Sequence, residues 1–85
     1  MIQDIYEQFL DEVCGAKEYV RCAMMHRDDR DMSNTYLEMS KNEIEHAQKL
    51  MNFAKKMNIE GEYDILVSIM DRQLFEAKAS VNAFD

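Results

Sequence analysis

The chain contains no proline, and its only glycines are Gly15 and Gly61. So few chain-breakers leave little choice of fold. Sheets need turns, and turns draw on Gly, Pro, Asn and Asp at fixed positions. Glutamate, methionine, alanine and lysine are plentiful instead, and these residues favour long helices. The sequence therefore predicts an all-α protein. With 85 residues it forms one domain, 1–85, too small to be robust without a metal, a disulfide or a partner chain.

Three helices are predicted, over about 2–27, 33–58 and 62–82. The run Arg27-Asp28-Asp29-Arg30-Asp31 interrupts the apolar pattern and reads as a turn. Ser33 is placed to cap the second helix, with Met32 and Leu37 as a hydrophobic staple around it. Asn58-Ile59-Glu60-Gly61 resembles a helix C-cap and connector. The connection between the first two helices is short, so they form an antiparallel hairpin.

A 3,4 spacing runs through each helix. In the first it picks out Ile2, Ile5, Phe9, Glu12, Ala16, Tyr19 and Ala23; in the second, Met32, Tyr36, Met39, Glu43, His46, Leu50, Phe53 and Met57. Both series read as bundle seams. The third helix carries Tyr63, Val67, Met70, Leu74, Ala77, Val81 and Phe84 on one stripe. A second apolar face on the middle helix (Leu37, Ile44, Ala47, Met51, Ala54) offers a surface to the third helix or to another chain. Two helices cannot enclose their own seams, so dimerisation into a four-helix bundle is the simplest expectation.

Charge narrows the partners. A formal net charge of −7 and a pI near 4.7 argue against nucleic acid and anionic membrane surfaces, and suit cations. No stretch approaches the ~18 apolar residues of a membrane span. Charges from Asp4 and Glu7 onward argue against a signal peptide. Cys14 and Cys22 lie about 12 Å apart along one helix, too far for a disulfide. Two free thiols suit a reducing compartment, and the cytoplasm is expected. As free thiols they are expected to be buried small hydrophobes.

Three polar residues stand in the seams: Glu12, Glu43 and His46. A carboxylate in an apolar seam is costly unless it is paired or bound to metal. Glu43 and His46 are three apart and share one helical face. Measured from a turn near residue 29 or 30, Glu12 lies about 26 Å away and the midpoint of Glu43 and His46 about 22 Å, which is the same level. The three are candidate metal ligands. A two-fold dimer would double them to four carboxylates and two imidazoles, the complement of a di-metal helical bundle. The metal-free alternative is a hydrogen-bonded Glu12–His46 pair that fixes register.

At these residues the sequence resembles the ferritin-like superfamily. Asn42-Glu43-Ile44-Glu45-His46-Ala47 looks like the second-helix motif of rubrerythrins, and Glu12 followed by Tyr19 resembles the first helix of ferritins. The half-length, encapsulated-ferritin type is the most similar, over helices one and two. No second Glu-x-x-His is present, so a complete bundle would need two chains. The resemblance implies iron ligation by Glu12, Glu43 and His46, two irons per dimer, and Tyr19 beside the site. It implies a homodimer or higher homo-oligomer oxidising Fe(II), a ferroxidase. Manganese or zinc suit the same donors. Two other readings stay open: a metal-binding structural dimer without turnover, and a metal-free oligomeric helical protein, for example a phage component. His26 is expected to suit the C-terminus of the first helix, and Gly15 to allow close helix approach.

Overall fold

A computed structural model of the chain describes residues 1–84. It is all-helical: α1 spans Ile2–Met25, α2 Arg30–Met57 and α3 Asp64–Phe84, with one 3-10 turn at Ile59–Gly61 before α3. None of the described helices is long and apolar enough to cross a membrane.

The first turn is tighter than expected. α1 stops at Met25 with His26 as its C-cap, and α2 begins at Arg30 rather than Ser33. Asp29 is the N-cap: its backbone is extended and its carboxylate accepts the Met32 N–H at 3.1 Å. An aspartate directly before the helix satisfies a free N–H and sits at the positive end of the helix dipole, so it captures the cap four residues ahead of the serine. Ser33, freed from capping, is buried, and its hydroxyl donates to the Ala23 carbonyl at 2.9 Å.

Ser40 repeats this one heptad later. It is fully buried and donates to the Ala16 carbonyl at 2.7 Å. Both serine–alanine pairs are centred on Asp28, so the two bonds lock one antiparallel register. Along α2 the buried line is Ser33, Leu37, Ser40, Ala47, Met51 and Ala54; along α1 it is Ile2, Phe9, Val13, Ala16, Val20 and Ala23. Small residues at heptad spacing let the two backbones approach closely. The predicted α2 seam is thus displaced by one residue. Met32, Met39 and Phe53 lie exposed beside the contact line instead of on it. Ser40→Ala should lower the unfolding free energy by about 0.5–1.5 kcal/mol, the value of one net hydrogen bond. Ser40→Leu should cost at least about 1–3 kcal/mol by overpacking the crossing. Urea melts of the two variants check this, and a leucine variant as stable as the alanine variant would refute close packing there.

The connector and α3 follow the sequence. Glu60 (φ 57°) and Gly61 (φ 75°) adopt left-handed backbone and reverse the chain. Asn58 then ties the corner: its side-chain oxygen accepts the Tyr63 N–H at 2.5 Å, and its amide donates to Asp64 at 2.7 Å. The predicted α3 stripe is the inward face. Met70, Leu74, Ala77 and Val81 are buried, and Tyr63, Val67 and Phe84 half-buried. Met70, Leu74 and Ala77 close a core with Phe9, Val13, Ala47, Met51 and Ala54, and Val81 and Phe84 a smaller one with Val20, Ala23 and Leu37, so the second apolar face of α2 is covered by α3. The other side of the α1–α2 hairpin, bearing Met32, Met39, His46 and Phe53, stays open.

Candidate metal centre

The three polar seam residues meet on that open side. One donor atom from each of Glu12, Glu43 and His46 lies within 4.8 Å of the other two. α1 supplies Glu12 and α2 supplies the i,i+3 pair Glu43 and His46. The register set by Ser33 and Ser40 brings them to one height.

His46 Nδ1 faces both carboxylates, at 3.3 Å from Glu12 Oε2 and 3.4 Å from Glu43 Oε1. Oxygen and nitrogen donors held about 2.0–2.2 Å from one ion at the tetrahedral angle stand about 3.3–3.6 Å apart. The spacing around His46 is therefore that of donors able to share an ion. Two carboxylates and one imidazole suit divalent iron, manganese or zinc, and leave coordination positions open. A single Nδ1–H of His46 shared between the two carboxylates is the metal-free arrangement.

The electrostatics fit a site short of positive charge. Burial holds the Glu43 carboxyl above its ordinary value, and the adjacent Glu12 carboxylate adds to this, while His46 opposes it. The cluster is not enclosed in the protomer. The His46 side chain is 52% exposed, with Glu12 at 27% and Glu43 at 25%. Burial in the seam was expected; the one-residue displacement of the α2 contact line moves the cluster to the rim of the open face.

Tyr19 is half-buried one heptad from Glu12 toward the turn. Its ring stacks on Tyr36 with centroids 6.2 Å apart, and Tyr36 stacks on His26 at 5.6 Å. The structure thus joins Tyr19 to other rings, and no described hydrogen bond links it to Glu12, Glu43 or His46. The heptad spacings Glu12–Tyr19–His26 and Tyr36–Glu43 were the available signal for this row. Cys14 and Cys22 are both free; Cys14 is exposed and Cys22 half-buried, so neither is the buried hydrophobe expected. Cys14 falls on the outer side of α1, between the buried Val13 and the half-buried Gly15.

Gly15 contributes something the sequence did not indicate. It does not accommodate the α2 backbone: a Cβ at this position would meet the Glu43 side chain, with Oε2 at 2.7 Å.

No protein-family model, no curated protein and no solved structure matches the chain.

Proposed function

We propose that this chain is a metal-binding protein that acts as a homodimeric ferroxidase. Glu12, Glu43 and His46 are the ligands, and two copies join their open hairpin faces so that the two clusters meet across the dyad. The observation that carries this reading is the convergence of two carboxylates and an imidazole nitrogen from α1 and α2, at ligand spacing, beside an uncovered apolar strip.

Several features support it. Doubling the cluster gives the four carboxylates and two imidazoles of a di-metal bundle, and the four negative charges would balance two divalent ions. Met32, Met39 and Phe53 flank the cluster and give a second copy apolar surface to cover. Covering it would also exclude water and lower the local dielectric around the ligands. The chain's carboxylates would hold Fe(II) as substrate and favour the more highly charged Fe(III) product. Each Fe(II) loses one electron, and dioxygen is the acceptor: two electrons and two protons convert it to hydrogen peroxide. A metal site without turnover is the second reading, favoured by a donor set that comes from one chain and suits zinc as well as iron or manganese.

The test is an aerobic Fe(II) titration of metal-stripped protein, following ferric absorbance. Rapid oxidation that saturates near one iron per chain is the expected result. Oxidation no faster than in buffer, with stoichiometric zinc or manganese binding, would replace the ferroxidase with the structural site. No binding of any of these metals would eliminate both.

A further inference from the structure

Gly15 is an anomaly in α1. A glycine inside a helix is less stable than an alanine there, through backbone entropy. The usual reasons for accepting that cost are absent. Its backbone is right-handed helical; among the glycines only Gly61 has positive φ. Nor does it serve the helix crossing, which is made at Ala16 and Ala23 against Ser40 and Ser33.

The space left by the missing side chain is filled by one ligand of the cluster. The three atoms nearest to a Cβ at Gly15 all belong to Glu43: Oε2 at 2.7 Å, Cδ at 3.5 Å and Cγ at 3.7 Å. The first distance is shorter than real Cβ contacts allow. The other two show the Glu43 side chain lying along α1. Gly15 is one helical turn beyond Glu12, on the same side of α1. The Glu43 carboxylate thus has the Glu12 carboxylate on one side, the bare helix surface at Gly15 on another and His46 Nδ1 at 3.4 Å.

We infer that Gly15 is a positioning residue: its lack of a side chain forms the recess that holds the Glu43 carboxylate against α1, in reach of His46 and Glu12. The inference rests on the reading of this cluster as a metal centre. An alanine here would not push the helices apart, because the atom it meets is the end of a flexible side chain. Glu43 would rotate out of the recess instead, and the donor set would lose its geometry. Fold and ligand placement then respond to the same substitution with opposite signs.

Gly15→Ala tests this in the full-length protein, beside wild type. The melting temperature of the metal-free variant should rise, by up to ~4–8 °C if the full helix-propensity gain is realised. Its affinity for Mn(II) and Zn(II) should fall about 10- to 100-fold, as for loss of a group that orients a ligand. In the metal-free protein the Glu43 carboxyl carbon and His46 ring nitrogen resonances should shift, while the amides of Ala16 and Ser40 stay in place. Unchanged resonances of Glu43 and His46 would overturn the inference, as would wild-type metal affinity in the variant. A lower melting temperature with displaced Ala16 and Ser40 amides would also overturn it, since Gly15 would then serve the helix crossing. If wild type itself bound no metal, the metal-centre reading would fall, and the resonances would still decide whether Gly15 places Glu43.

Discussion

Glu43→Ala is expected to abolish metal binding while making the metal-free protein more stable at neutral pH. In the proposed site Glu43 adjoins both other groups: it lies 3.4 Å from His46 and is within interaction range of Glu12. Without it, one carboxylate and one imidazole remain per chain, and affinity should fall by at least ~100-fold, the upper range for loss of a group that merely supports a ligand. The stability effect runs the other way. Burial and the Glu12 carboxylate raise the Glu43 pKa in the fold above its ordinary value of 4.5. The folded protein therefore binds this proton more tightly than the unfolded chain does. Protonated Glu43 favours the fold fully below about pH 4.5, and that advantage is lost as pH climbs through the raised folded value. At neutral pH the ionised side chain opposes folding, with Glu12 against it and only His46 in its favour. Thermal melts of metal-free wild type should thus show Glu43 weakening the fold as pH rises above 4.5, and Glu43→Gln should flatten that slope. Isothermal titration with Mn(II) checks the binding half. Equal metal content in wild type and Glu43→Ala would end the assignment of Glu43 as a ligand.

Two phenylalanines should respond in opposite ways. Phe9 is fully buried among Val13, Ala47, Met51 and Leu74, where all three helices meet. Phe9→Ala should cost about 3–5 kcal/mol, from lost transfer energy and an unfilled cavity. A domain of this size holds only about 0.05–0.15 kcal/mol per residue in total, so the variant should lose a large share of its stability and unfold at a much lower denaturant concentration. Phe53 is 53% exposed on the open face. Phe53→Asp should leave the melting temperature of the isolated protomer within the range of ordinary surface changes, about ±0.5 kcal/mol. It should weaken self-association, because it puts a charge into the surface that a second copy would bury. Denaturant titration separates the first pair of outcomes, and sedimentation equilibrium over a dilution series the second. A Phe53→Asp protein that associates as tightly as wild type would move the dimer interface elsewhere. The exposed Ile65, Ile69 and Phe75 on the outer side of α3 would be the next surface to examine.

Much of this architecture is legible in the residues. The scarcity of glycine and the absence of proline fix the helical class. The Asn58–Gly61 corner and the α3 stripe appear where composition and spacing put them, because a left-handed corner and a one-sided helix have strong local signatures. Counting residues from the hairpin turn brought Glu12 level with Glu43 and His46, since a rise of about 1.5 Å per residue is insensitive to packing detail.

What the sequence could not decide is which line of α2 touches α1. Met32, Met39, His46 and Phe53 form one heptad line; Ser33, Ser40, Ala47 and Ala54 form the next, about 100° around the helix. Hydrophobic periodicity favours the first, because it weights large apolar side chains. The folded chain uses the second, because small residues let the backbones close, and two buried hydroxyls reach carbonyls on α1. Only the tertiary structure weighs close approach against side-chain size. That choice turns the larger side chains and the three polar residues toward the open face. It also gives Gly15 its partner: a glycine in a helix is a local cost in sequence, and only the packed hairpin shows that the space it leaves holds the carboxylate of Glu43.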